Sequence, residues 1–69
     1  MNKVLHVQGM MCAHCQARVQ KALSEVEGVS ACQVDLDAKT ATCVLDKPVD
    51  NAVLKKAVED AGYEVTEIQ

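Results

Sequence analysis

The chain is poor in aromatic residues, with no Phe or Trp and a single Tyr among its 69 residues. Proteins that stack bases or enclose organic cations need several aromatic side chains, so both classes of binding protein are disfavoured. Ten acidic residues outnumber seven basic ones, which leaves a net charge of −3. A protein that binds nucleic acid through its phosphates needs a positive surface, and we therefore expect no nucleic-acid partner.

The sequence also lacks the roughly 18 consecutive apolar residues that a membrane-spanning helix needs, so we expect no membrane insertion. Its first eight residues, MNKVLHVQ, do not contain the apolar segment of a secretory signal, which favours a cytoplasmic protein. Apolar residues make up 49% of the chain, which is enough for a globular core. Because 69 residues are too few for two cores, we expect a single domain over residues 1–69.

The hydrophobic pattern predicts four strands and two helices. In the first helix, Cys15, Val19 and Leu23 share one face, and we expect Gly28 to end it with a left-handed cap. Asp50 is the predicted N-cap of the second helix, and Gly62 is predicted to end it. The strands are predicted at residues 3–8, in a hairpin over residues 29–45 with its turn near residues 38–39, and from residue 63 onward.

The predicted order of elements is therefore β-α-β-β-α-β. This is the order of the split β-α-β, or ferredoxin-like, arrangement. Two helices that cover one face of a four-stranded antiparallel sheet make a two-layer α+β sandwich. We find no linker or low-complexity segment that would interrupt it.

The residues that carry chemistry are Cys12 and Cys15, three positions apart where a loop passes into the first predicted helix. Free amide N–H groups and the positive end of the helix dipole favour the thiolate there, which is the form that binds metal. No Ser, Thr, Asp or Asn stands at the expected cap position of this helix. We infer that a thiolate, free or bound to metal, takes the place of the cap.

Two thiolates suit the soft ions Cu(I) and Hg(II), and suit Zn(II) or Cd(II) less well. A structural zinc site needs four ligands, and the remaining cysteines, Cys32 and Cys43, do not easily supply the other two. They fall on the apolar faces of the predicted hairpin and are interpreted as small core residues, close to each other along a diagonal. A disulfide between them is the alternative interpretation.

The segment GMMCAHC over residues 9–15 resembles the G-M-x-C-x-x-C signature of the heavy-metal-associated domain family. The glycine junctions at residues 27–29 and 61–63 resemble the same family, and the resemblance extends over residues 3–68. Within the family the chain is similar to small bacterial copper chaperones, which are not enzymes. The resemblance implies a cytoplasmic carrier that binds Cu(I) through Cys12 and Cys15. It would pass the ion by ligand exchange to the metal-binding domain of a copper-transporting P-type ATPase.

The resemblance also implies roles for neighbouring residues. Met10 is expected to pack under the loop, and Tyr63 is expected to lie near the metal and shield it. Met11 stands where the family often has Ser, Thr or Asp; because it offers no oxygen ligand, it favours copper over zinc. His14 is interpreted as a residue that is simply exposed or that tunes cysteine acidity, with a third ligand or a ligand that bridges a dimer as the alternative.

Two further expectations concern partners. Two exposed thiols per molecule can share metal across a two-fold axis, so a metal-bridged homodimer is one predicted assembly. Arg18 and Lys21, expected near the metal loop, are candidates for steering an acidic partner.

Other functions fit the sequence less well. A mercury or zinc/cadmium carrier of the same family is the nearest alternative. A small dithiol redox protein shares the C-x-x-C spacing, but the chain is too short for the thioredoxin fold. Haem attachment needs a His at position 16, where Gln16 stands. An RNA-recognition module has the same sheet order but needs aromatic residues and basic charge.

Overall fold

The computed structural model describes residues 2–69 and contains the six elements in the predicted order. Their bounds are β1 (Asn2–Gln8), α1 (Ala13–Ser24), β2 (Val29–Asp35), β3 (Thr40–Leu45), α2 (Asn51–Asp60) and β4 (Glu64–Ile68). The strands form one antiparallel sheet in the order β2-β3-β1-β4, and the two helices pack side by side against it. The predicted ferredoxin-like α+β sandwich is therefore confirmed. Within residues 2–69, no helix has the length and apolar character needed to cross a membrane.

The core lies between the sheet and the helices. Both helices contribute the aliphatic residues of their predicted apolar faces, and β1 and β3 supply most of the rest. Removing one such side chain from water stabilises the fold by about 1.5–3 kcal/mol. The largest fully buried side chains are those of Leu5, Val7, Val19, Leu23, Cys43, Leu54 and Val58. This core holds the start of α1 and the end of β1 in a fixed relation, and the loop between them carries the site described below.

The observed ends of α2 agree with the sequence prediction, whereas the observed end of α1 does not. Asp50 is the N-cap of α2 as predicted, although its side chain makes no capping hydrogen bond, and Gly62 follows the C-cap Ala61. The first helix ends earlier than predicted, with Glu25 as its C-cap. Gly28 therefore does not cap this helix; it immediately precedes β2 and has φ +99°.

The reason for a glycine at position 28 is a close approach of the chain. A Cβ atom there would lie 2.6 Å from Cγ2 of Val49, which is buried just before α2. Gly62 has nearly the same backbone angle, φ +98°, but nothing within 4 Å of the corresponding Cβ position. Both glycines therefore adopt a positive φ, and only at Gly28 would a side chain also collide with a neighbouring residue.

We expect Gly28→Ala to destabilise the protein more than Gly62→Ala. Both substitutions place a side chain at positive φ, which costs about 1–2 kcal/mol. The first adds an overpacking cost of about 1–3 kcal/mol against Val49. Urea unfolding of the two variants measures the difference in the free energy of unfolding. Equal losses would show that the contact with Val49 is relieved without cost.

Candidate metal centre

The loop between β1 and α1 is anchored by one methionine and exposes the next. Gly9 takes φ +96°, and a Cβ atom on it would lie 3.4 Å from Cδ1 of Tyr63. Met10 is 6% exposed and belongs to the core, whereas Met11 is 89% exposed. A buried flexible side chain of this kind fills an irregular gap and ties the loop to the core. The expected packing of Met10 under the loop is therefore confirmed.

The chain enters α1 at Cys12, which occupies the N-cap position with extended backbone angles of φ −156° and ψ 173°. Its carbonyl oxygen accepts the hydrogen bond of the Gln16 amide at 3.1 Å. Its thiol makes no capping hydrogen bond. A cysteine thus stands at the cap position, but the inference that its sulfur takes the place of a capping side chain is not supported, because the sulfur makes no bond to the first amides of the helix.

The two sulfurs of the motif face each other. Cys12 is exposed and Cys15, in the first turn of α1, is half-buried. Their Sγ atoms are 3.7 Å apart, which is far longer than the roughly 2.05 Å of a disulfide bond. Both cysteines are free thiols that can hold one ion between them.

The environment of Cys15 favours its thiolate. The hydroxyl of Tyr63 donates a hydrogen bond to the sulfur, and the backbone N–H of Met11 donates another; the thiol and backbone of Cys12 add smaller contributions. These donors outweigh partial burial and lower the pKa of Cys15 from 9.0 to about 7. The largest contribution thus comes from Tyr63, outside α1, and not from the free amide groups of the helix start that we expected from the sequence.

Tyr63 links this sulfur to a cation. The hydrogen bond to Cys15 is the largest reason why the pKa of Tyr63 is raised; burial and the charge of Cys15 act in the same direction. The guanidinium of Arg18 opposes the rise through its charge and a hydrogen bond to the phenol. Tyr63 therefore lies near both the Cys15 sulfur and the Arg18 guanidinium, an arrangement that the sequence pattern did not indicate.

A second hydrogen bond that the sequence did not predict ties the start of α1 to the sheet. Nε2 of Gln16 donates to the carbonyl oxygen of Val34 in β2 at 2.7 Å. Because Gln16 directly follows Cys15, this bond limits the movement of the first helical turn. Within residues 2–69, the exposed side chain of Cys12 makes no hydrogen bond other than its contact with Cys15.

The other residues predicted to belong to the site are His14, Arg18 and Lys21. His14 is exposed on the first turn of α1. In the described chain, no group of three or more His, Cys, Asp or Glu side chains is arranged to hold one ion. Lys21 lies in the last turn of α1, at the opposite end of the helix from the motif, so the prediction that it lies near the loop is wrong. Of the two basic candidates, only Arg18 is close to the site.

Comparisons with known proteins agree with this geometry. The model of the heavy-metal-associated domain matches residues 4–64. The chain is 42% identical to a copper chaperone CopZ of Staphylococcus haemolyticus over 65 residues, which cover 93% of this chain and 96% of that protein. Among solved structures, a CopZ metallochaperone superposes with a TM-score of 0.90 at 34% identity and covers 96% of this chain and 100% of its own. A copper binding domain from HMA7, a P-type ATPase, superposes with a TM-score of 0.89 at 39% identity, covering 100% and 95% of the two chains.

We expect Tyr63→Phe to make Cys15 less acidic, because it removes the strongest donor to the sulfur. In the parent protein, alkylation of Cys15 should follow a pKa of about 7. In the variant, the midpoint should move toward the ordinary value of 9.0. Peptide mapping of iodoacetamide-labelled protein across a pH series measures both.

The control is internal to the same series. At a pH above both midpoints, Cys15 is ionised in both proteins, and the variant should be labelled no more slowly than the parent, since a thiolate of higher pKa is the stronger nucleophile. A parent midpoint near 9, or a variant that titrates like the parent, would contradict a role for Tyr63 in stabilising this thiolate.

Proposed function

The chain belongs to the heavy-metal-associated domain family and, like its copper-chaperone relatives, is not an enzyme, and from that membership we propose that it is a copper chaperone. It binds Cu(I) through Cys12 and Cys15 and passes the ion to the metal-binding domain of a copper-transporting P-type ATPase. The observation that carries the proposal is the pair of thiol sulfurs 3.7 Å apart at the first turn of α1. We also propose that residues 1–69 act as one domain in the cytoplasm, where a reducing environment keeps both thiols free.

The number of available ligands, and not the separation of the sulfurs, favours an ion that accepts two sulfurs. Two metal–sulfur bonds of about 2.3 Å span up to about 4.6 Å when they are collinear. The sulfurs therefore need to move apart by less than about 1 Å to hold Cu(I) in a linear arrangement. Exposed Cys12 can make this movement while Cys15 stays in the helix. Zinc needs four ligands, and residues 2–69 offer no larger group of ligating side chains.

The charge of the complex supports Cu(I) as well. One Cu(I) and two thiolates carry a net charge of −1. The amide and hydroxyl donors around Cys15 stabilise that negative charge, as does the positive end of α1. The same donors act on the empty thiolate, so the site is prepared for the ion before it arrives.

Transfer follows from the low coordination number. Exposed Cys12 captures Cu(I) first, and Cys15 completes the pair. When the partner docks, a thiolate of the partner attacks the ion and forms a three-coordinate intermediate with both chaperone sulfurs. The chaperone sulfurs then leave one at a time, and a second partner thiolate takes the vacated position. Across the whole sequence two chaperone–copper bonds are broken and two partner–copper bonds are formed, the ion keeps at least two sulfur ligands, and no free ion is released.

The partner is inferred from shared architecture. A copper binding domain of a P-type ATPase has the same fold as this chain. Exposed Met11 adjoins Cys12 and offers an apolar contact beside the exchanging sulfurs. The homodimer bridged by metal remains a second prediction for the same two sulfurs, because a copy of this chain can supply the attacking thiolate.

We expect Cys12→Ser/Cys15→Ser to lose tight Cu(I) binding and keep the apo fold. Loss of a residue that only supports a ligand lowers metal affinity about 10–100-fold, so removing both ligands should cost at least about 100-fold. Competition of the reduced protein with bathocuproine disulfonate measures the loss, and circular dichroism checks the fold.

Cys32→Ala is the matched control, since it removes a half-buried thiol outside the motif. It should retain Cu(I) as the parent does. If the double variant still withholds Cu(I) from the chelator, the assignment of Cys12 and Cys15 is wrong.

Affinity for Cu(I) should fall with decreasing pH, because binding requires the thiolates. With the pKa of Cys15 at about 7, its proton is already absent above that pH and must be displaced below it. Below pH 7 we expect this group alone to weaken binding by up to about tenfold per pH unit. Chelator competition at several pH values tests the slope; an affinity independent of pH between 5 and 7 would contradict thiolate binding.

A further inference from the structure

A second pair of thiols lies in the sheet, apart from the proposed copper site. Cys32 in β2 and Cys43 in β3 are direct partners in the antiparallel register. The diagonal arrangement expected from the sequence is therefore wrong. Directly opposed side chains have Cβ atoms about 4.5–5.5 Å apart and point to the same face. Here the Sγ atoms are 3.8 Å apart, nearly the same separation as in the Cys12–Cys15 pair.

This pair differs from the first in its exposure. Cys43 is fully buried in the core, and Cys32 is half-buried on β2, an edge strand. Cys32 also lines a surface groove, together with Gln16 and Gln20 of α1. An ion can therefore reach Cys32 from solvent and then bind the deeper sulfur of Cys43 without first unfolding the domain.

The number of ligands limits which ions fit. No group of three or more His, Cys, Asp or Glu side chains gathers around one point within residues 2–69. The pair thus offers two sulfurs, and two bonds of about 2.3 Å bridge their separation with less than about 1 Å of opening. Soft ions that accept two thiolates in a line fit this arrangement, and tetrahedral Zn(II) does not.

Burial then selects the charge of the ion. A monovalent ion with two thiolates has a net charge of −1, and a divalent ion with two thiolates is neutral. Burying an unpaired charge is costly, and the described side chains that line the groove are all uncharged. The Cys15 sulfur has hydroxyl and amide donors for a negative complex, whereas within residues 2–69 the one side-chain hydrogen bond of the Cys32–Cys43 pair joins the two thiols to each other. The buried pair therefore favours a neutral complex.

We propose that Cys32 and Cys43 form a second metal site, which takes a soft divalent ion of the Hg(II) type as a neutral, two-coordinate dithiolate. Binding exchanges two S–H bonds for two metal–sulfur bonds and releases two protons, with no change of oxidation state. The site is distinct from the proposed copper site and does not depend on it.

The test uses Cys12→Ser/Cys15→Ser, in which Cys32 and Cys43 are the remaining cysteines. The reduced variant is titrated with Hg(II) in the presence of excess N-acetylcysteine as a competing monothiol. We expect one Hg(II) per monomer by native mass spectrometry, with the ultraviolet charge-transfer absorption of mercury–thiolate bonds and an unchanged far-ultraviolet circular dichroism spectrum.

Two further variants test the pairing of the sulfurs. Cys32→Ala or Cys43→Ala, added to the double variant, should weaken Hg(II) binding by at least about 100-fold, since the chelate is lost. Cys32→Ala is the more reliable of the two because Cys32 is only half-buried, so its loss leaves the core intact. Equal affinity in these variants, one Hg(II) shared by two chains, or binding that requires loss of the native spectrum would each overturn the proposal.

The same variant separates this proposal from the copper chaperone. Loss of Cu(I) to a strong chelator together with retention of Hg(II) supports both. Loss of both ions leaves the copper assignment standing and overturns the second site. Retention of Cu(I) contradicts the assignment of Cys12 and Cys15 whatever Hg(II) does. Oxidation in air to a disulfide would lower the mass of the variant by two hydrogens. If the variant shows this loss and binds no Hg(II) either before or after reduction, the pair belongs to disulfide chemistry and the metal site is overturned.

Discussion

The convergence of hydrogen-bond donors on the sulfur of Cys15 is the interaction on which the site depends. The Tyr63 hydroxyl and the backbone N–H groups of the loop reach this sulfur from different parts of the chain. They can do so because Met10 is buried and holds the loop against the core, while the first helical turn is tethered to β2 through Gln16. The fold thus positions donors around one sulfur and leaves the other, on Cys12, exposed. A carrier needs both features, because it must hold its ion and also release it.

The two dithiols of the chain show how environment separates sites of similar geometry. Their sulfur separations are 3.7 and 3.8 Å, so distance alone does not distinguish them. One pair stands at a helix start with an exposed partner; the other is half-buried and fully buried between strands. Donors at the first pair stabilise a negative complex, and burial at the second favours a neutral one. If both proposed sites bind metal, the charge of the bound ion is the property that distinguishes them.

The order of the elements and the position of the motif were predictable from the sequence, because they depend on local patterns. Alternation and helical periodicity describe which face of each element meets the core, as Val19 and Leu23 illustrate. The role of Gly28 was not predictable in the same way, since the close contact that favours a glycine there is made with Val49, which is distant in the sequence. The direct opposition of Cys32 and Cys43 depends on strand register, which the turn near Lys39 determines and composition does not reveal. The bond from Tyr63 to Cys15 joins opposite ends of the chain, and only the folded arrangement shows it.

X-ray absorption of the chain loaded with one equivalent of Cu(I) tests the central claim most directly, because it reports the atoms bound to copper. The account predicts a shell made only of sulfur, which disappears when Cys12 and Cys15 are replaced by Ser. A shell with nitrogen or oxygen neighbours, or a sulfur shell that survives the double substitution, would contradict it.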